Sequence, residues 1–466
     1  MIVEIFFQVG NAMKILIRGG RLIDPANSID SVHDLLLQDG RVAAIDPAEA
    51  AADVTIDAAG KVVCPGFIDI HMHEDPVLED GTIDNDLETA IQNTMLRMGV
   101  TTAVAGNCGE VKYHPADYLD LVDKQGTAVN IAMMAGHEYF RVKSGCTDKY
   151  GPATEAQKAQ MAAELEECLL RGCLGISYGI RYVPGLDRDE LLQTAAGCRV
   201  TGGVLAAHIR DDAEAVFAAA EEFIDIGRTL SLPMEISHIG SMAGFGQMER
   251  FLRQVDHCKA EGLKIGCDCY PYDAFSTDLG STTYDDGWRD RYGCGYDVVE
   301  LCEGKYKGQR CTKEIFDEVR RDFPACKTIC YVMMQEEVDL AFRHPGVMLG
   351  SDGTLSSGQG HPRAAGAFPR LIARYAKKGV ISLYEAVNKM TAMPANHLGL
   401  SRKGRLNVGA DADVVIFDPE TIEDRATFAE PLLAPKGIDY VIVNGKIAAR
   451  DGSIVCRNAG KSVRKI

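Results

Sequence analysis

Apolar and polar positions alternate in short runs at both ends of the chain. Residues 14–24 (KILIRGGRLID), 33–46 (HDLLLQDGRVAAID) and 54–66 (VTIDAAGKVVCPG) read as strands, and the DG and AAG elements between them read as hairpin turns. The last sixty residues repeat the pattern, with ADVVIFDP at 412–419 and YVIVNGKIAARDGSIV at 440–455, where NG is again a hairpin signal. Both ends are therefore β-rich and predict a small β-sandwich built from residues 1–66 and 403–466. Residues 1–12 precede Met13 and read as an extension or an upstream start.

Between these ends the period changes. Runs rich in Val, Ile and small residues end in polar groups, and several lead into a helical pattern, a glycine and the next run. Leu87, Ile91 and Met95 share one helical face before Gly99, as do Met161, Leu165, Cys168 and Leu169 before Gly172, and Phe251, Leu252, Val255 and Cys258 before Gly262. Eight such runs occur, at 67–73, 101–109, 130–137, 174–180, 205–210, 234–240, 264–272 and 347–353. Strand-to-helix crossovers favour a parallel sheet, and eight of them predict an α/β fold of the (β/α)8 TIM-like barrel type over residues 67–402. The gap at 273–346 is too long for one crossover and reads as an insertion over the barrel mouth.

Composition narrows the class. A formal net charge of −18 argues against a nucleic-acid partner or an anionic membrane surface. The 15 cysteines form no CxxC pair and read as reduced thiols of a cytoplasmic protein. No apolar run reaches the roughly 18–20 residues that span a bilayer, and the opening segment lacks the features of a signal peptide.

The candidate chemistry lies where barrel strands end. His71 and His73 are two apart on strand one and point the same way; His208 closes strand five and His238 strand six. Strand two ends with Cys108 in GNCG and strand eight with Asp352 in GSDG. Imidazole, thiolate and carboxylate make up the zinc ligand set, and strand ends on one barrel face converge. A single buried histidine is more often an ordinary core residue, which is how we read His33, His114, His257, His344 and His397. His137 closes strand three and reads as a supporting group. The joint pattern favours a metal centre.

The order of HxH on strand one, His on five and six, and Asp on eight, between β-rich ends, resembles the amidohydrolase superfamily. The stretches PGFIDIHMHED, TTAVAGNCG, AHIRDD, EISHIG, DCYPYDAFST, GSDG and HPRAAGAFPR resemble more narrowly its N-acyl-D-amino-acid deacylases (D-aminoacylases), over about residues 14–455. Much of the superfamily bridges two metals with a lysine on strand four. Here that strand is LGISYGI, without lysine, and the deacylase group uses the strand-two cysteine instead. The resemblance implies one tight Zn2+ on Cys108, His208 and His238, with His71, His73 and Asp352 around a second, weaker position.

It also implies hydrolysis of a small-molecule N-acyl-D-amino acid, with zinc bringing the pKa of water toward about 7 and Asp352 as general base, then acid. Arg363, Tyr270 and Ser276 would hold the substrate carboxylate, and Tyr182 would line a pocket. Family members often carry a lysine two residues after the strand-six histidine. Gly240 stands there, and Arg289 or Arg291 of the insertion is the substitute we consider. The rival readings are a cyclic-amide hydrolase of the dihydropyrimidinase or dihydroorotase type and a non-catalytic scaffold. Assembly into a homo-oligomer is left open.

Overall fold

The computed structural model describes residues 13–48, 51–356 and 358–465, so the reading of residues 1–12 lies outside the described residues. Eight parallel strands form one sheet in strict chain order: Phe67–Asp69, Val100–Ala105, Asn130–Gly136, Gly175–Gly179, Val204–His208, Met234–Ile236, Ile265–Cys269 and Val347–Leu349. We number these barrel strands one to eight. The ring closes where Met72 bridges Gly353, with the Asp352 N–H donating to the His71 carbonyl at 2.7 Å and the His73 N–H to the Gly353 carbonyl at 2.9 Å. Strand five ends on His208 itself, whereas strands one, two, six and eight stop short of His71, His73, Cys108, His238 and Asp352, which stand on irregular backbone just beyond the ladder.

The helices form for the reasons the periodicity gives. Glu155–Leu170 opens on a Thr154/Gln157 capping box and buries Met161, Leu165, Cys168 and Leu169. Met248–Ala260 buries Phe251, Leu252, Val255 and Cys258. The helix preceding strand two differs. It spans Ile91–Arg97, and Leu87 lies outside it, exposed. Its start is set by a distant carboxylate, because Asp75 accepts from the Ile91 and Gln92 N–H groups at 2.7 and 3.1 Å.

The chain ends share a single nine-stranded sheet, in which Val62–Pro65 from the start of the chain pairs antiparallel with Val414–Phe417 from its end. The DG and NG turns at 39–40 and 444–445 have positive φ at both positions, the backbone that tight hairpins require. The AAG segment is not a hairpin. Val54–Asp57 and Val62–Pro65 both run parallel to the first strand, Ile15–Asp24, one after the other along the same edge. A bulge in that first strand makes this possible: Gly19 has φ +67°, and a Cβ on Gly20 would lie 2.4 Å from Val63.

The insertion folds as a three-stranded antiparallel sheet of Phe275–Asp278, Lys327–Cys330 and Val299–Leu301 in that spatial order. It is anchored by a buried aromatic cluster in which Trp288 stacks on Phe316 at 5.5 Å, with Tyr284 and Tyr296 packed edge-on. No helix among the described residues is long and apolar enough to cross a membrane. All 15 cysteines are free.

One buried carboxylate ties barrel and end sheet together. Asp413 accepts from Lys403 Nζ at 2.6 Å, from Asn130 Nδ2 at the start of strand three at 3.1 Å, and from the Asn444 N–H at 2.7 Å. Asp413→Leu would strand the buried Lys403 ammonium with Asp411 as its one remaining carboxylate. We expect a loss of about 3 kcal/mol in denaturant unfolding; a change below about 0.5 kcal/mol would show that the junction is held by apolar packing instead.

Candidate metal centre

The site begins with backbone. Cys108, His238 and Asp352 have φ values of +55°, +34° and +48°, a left-handed conformation that costs a non-glycine residue free energy and gathers at functional sites. At Cys108 the flanking glycines make the turn possible. A Cβ at Gly106 would lie 2.3 Å from the Met134 carbonyl, and one at Gly109 would lie 2.5 Å from the Gly179 amide. Asn107 fixes the same turn by donating to the Val104 carbonyl at 2.9 Å. GNCG is thus a strand terminus that turns a thiol into the barrel mouth.

All six candidate ligands meet there. Donor atoms of Cys108, His208 and His238 lie within 4.8 Å of one another, and so do those of His71, His73, Cys108 and Asp352. The two groups share the sulfur, which is 3.4 Å from both His71 Nε2 and His238 Nε2. Asp352 Oδ1 is 3.2 Å from His73 Nε2 and 3.6 Å from His71 Nε2. Outer partners hold the rings in place. Asp268 Oδ2 is 3.2 Å from His71 Nδ1 and its Oδ1 accepts the His238 N–H, while Ser241 Oγ lies 2.9 Å from His238 Nδ1. Such contacts leave the opposite ring nitrogen facing inward, as metal-binding imidazoles require.

The electrostatics fit a cation. Burial, with Asp352 and Asp268 nearby, pushes the Cys108 thiol well above its ordinary value, so a thiolate there needs positive charge. Burial also lowers His71 and His238 to about 4, which leaves both rings neutral and able to donate a lone pair. Burial alone would raise Asp352, yet the Arg363 guanidinium, then His73, hold its carboxyl well below the usual range. A soft, borderline donor set of thiolate, imidazole and carboxylate suits Zn2+.

Arg363 is fully buried. Its Nη2 is 2.9 Å from Asp352 Oδ2, its guanidinium lies 4.4 Å over the Tyr270 ring, and Nε and Nη1 have no partner. His361 positions it by accepting the Arg363 N–H at 3.0 Å while its Nε2 reaches the Ala274 carbonyl. Ser276 Oγ is likewise unpartnered. Arg363, Ser276 and Tyr182 line one cavity of about 700 Å3 that also reaches Cys108, His73 and Asp352. The Tyr182 ring packs 4.6 Å from His208. Tyr270 touches this group through the guanidinium and is itself buried.

Gly240 is filled from another direction. A Cβ there would meet Cys269 Sγ at 3.0 Å and Met333 Cε at 3.1 Å, so a methionine of the insertion occupies the space where family members often carry a lysine. Neither Arg289 nor Arg291 replaces it. Arg289 lies over the Tyr296 ring, and Arg291 pairs with Asp212 at 2.8 Å. Asp268, Ser241, His361 and Met333 are the site residues that sequence reasoning missed. An acidic residue within strand seven was the available signal for Asp268; the others carry none.

A model of the amidohydrolase family matches residues 54–449. A D-aminoacylase of Alcaligenes xylosoxydans xylosoxydans is 34% identical over 487 residues, covering 96% of each chain. The crystal structure of N-acyl-D-glutamate deacylase from Bordetella bronchiseptica, complexed with zinc and a phosphonate inhibitor, superposes with a TM-score of 0.85 at 30% identity, covering 97% of this chain and 99% of that one. A dihydroorotase of Geobacter sp. (strain M21) is 28% identical, covering 87% of this chain and 90% of its own.

Cys108 belongs to both donor groups, so its removal should be felt in both. Cys108→Ala should lower zinc affinity at least about 100-fold, as read by chelator competition and metal analysis of dialysed protein. Retention of a full complement would place the ion elsewhere.

Proposed function

The chain belongs to the amidohydrolase family, among the N-acyl-D-amino-acid deacylases, and on that premise we propose that it hydrolyses the linear amide of an N-acyl-D-amino acid to a carboxylate and a free amine. The observation that carries this reading is the sulfur shared by two donor groups beside a single aspartate. Cys108, His208 and His238 would hold a divalent ion, with His71, His73 and Asp352 around a second position. When bound, the ion supplies a Lewis acid that lowers the pKa of water.

The chain's own groups then have separable duties. Asp352 Oδ1 accepts a proton from the attacking water and returns it to the amide nitrogen, without which the amine leaves as an anion. Arg363 holds the other oxygen of Asp352 and so keeps that carboxylate oriented. Its free Nε and Nη1, with Ser276 Oγ, each offer a single donor to a substrate carboxylate. The Tyr270 ring beneath fixes the guanidinium plane. Tyr182 walls the space beside His208. The D configuration is taken from what the relatives act on.

The cyclic-amide reading has less support: strand four, Gly175–Gly179, offers no lysine to bridge two ions. The full set of six donors speaks against a scaffold.

Two measurements test this. Purified enzyme given matched N-acetyl-D- and N-acetyl-L-amino acids should release amine from the D series at least about tenfold faster. Activity confined to L substrates, or to ring-opening of hydantoin and dihydrouracil, would refute the assignment. Asp352→Asn should keep the tight metal but lose about 10²- to 10⁴-fold in kcat; an Asn variant with undiminished turnover would move the proton shuttle to another group.

A further inference from the structure

The loop that leaves His208 carries three charged residues in a row, Arg210, Asp211 and Asp212, and each fastens a different piece of the barrel mouth. Arg210 donates to the Pro184 and Leu186 carbonyls beyond strand four at 2.9 and 2.6 Å, and Asp211 Oδ1 accepts from Arg181 Nη1 at 3.0 Å. Asp212 reaches the insertion instead. Its Oδ2 accepts the Tyr292 hydroxyl at 2.7 Å, and its Oδ1 lies 2.8 Å from Arg291 Nε.

This contact is built under constraint. Asp212 is buried, and the next residue, Ala213, holds a φ of +50°, left-handed backbone that an alanine adopts only where its surroundings impose it. On the insertion side, the Tyr292 ring stacks on Phe245 at 5.0 Å, in the segment after His238, and packs 5.9 Å from Phe275. Arg291 Nη2 donates to the Thr283 carbonyl at 2.7 Å. Phe275 opens the strand Phe275–Asp278 that carries Ser276, and Thr283 lies just beyond its end. The latch therefore grips that strand from both sides.

There is little slack between strand and metal donors. Asp212, Tyr292 and Ser276 line a gap of about 20 Å3 together with His208, His238 and Asp352. A space of that size holds about one water, so the strand cannot shift toward the donors without a clash. Ser276 Oγ, unpartnered, is held beside them.

We propose that Asp212 and Tyr292 are positioning residues that set the Ser276 hydroxyl against the metal centre, so that substrate-carboxylate binding is registered to the loop that supplies His208. This rests on the deacylase reading, with Ser276 as a donor to that carboxylate. Tyr292 commits its hydroxyl to Asp212, so its influence on substrate passes through the strand.

The test is a double-mutant cycle on KM for an N-acetyl-D-amino acid, with zinc content measured alongside. Tyr292→Phe keeps the ring and removes the hydroxyl. It should raise KM at least about tenfold, the worth of one hydrogen bond to a charged group, with kcat held within about threefold and zinc unchanged. Ser276→Ala should raise KM by a similar factor, and adding Tyr292→Phe to it should change KM by less than about twofold, because the two act as one contact. Asp212→Asn should reproduce the Tyr292→Phe shift; Tyr292→Phe carries the test if the Asn variant fails to fold. Multiplicative effects in the double variant, an unchanged KM in either single variant, or a fall in kcat and zinc content at constant KM would overturn the proposal while leaving the deacylase reading intact. A wild-type enzyme that cleaves no N-acyl-D-amino acid would instead remove that reading and this one with it.

Discussion

Cys108 Sγ lies 3.4 Å from imidazole nitrogens of two different strands, inside a pocket that also buries Asp352 and Asp268. Without a cation this is a costly arrangement, because burial disfavours both thiolate and imidazolium and the neighbouring carboxylates disfavour the thiolate further. With one, the same groups would become its ligands and their supports. The left-handed backbone at Cys108, His238 and Asp352, the tight glycines around the thiol and the Asp268 contacts all serve to hold donors that would otherwise repel or go unpaired. The barrel supplies the scaffold rigid enough to impose this.

Much of that was legible beforehand. The convergence of the six candidate ligands follows from strand-end position, because a parallel barrel brings the carboxyl ends of distant strands together whatever lies between them. The buried stripes of Glu155–Leu170 and Met248–Ala260 were equally readable, since helical period and burial coincide. What escaped were features that depend on partners far apart in the chain. The Asp75 cap on Ile91 spans sixteen residues, and the parallel pairing of Val54–Asp57 and Val62–Pro65 depends on a bulge at Gly19. His361 and Ser241 act only through Arg363 and His238, so neither shows a pattern of its own.

The insertion and the barrel contribute different parts of the cavity wall. Barrel strand ends provide every candidate metal donor, whereas Ser276, Thr277 and Lys327 line the cavity from residues 273–346. Met333 lies against Gly240, where a Cβ would meet its Cε at 3.1 Å, so a side chain at 240 would require this methionine to shift.

The end sheet has a bearing on biogenesis. Val62–Pro65 finds its antiparallel partner only in Val414–Phe417, about 350 residues later, so the amino-terminal strands leave the ribosome with an unsatisfied edge that persists through translation of the entire barrel. Long-range pairing of this kind is slow and leaves nascent chains open to intermolecular pairing. Expression yield at elevated temperature, rather than the stability of the finished enzyme, is therefore where this topology exacts its toll, and chaperone supply is the remedy it suggests.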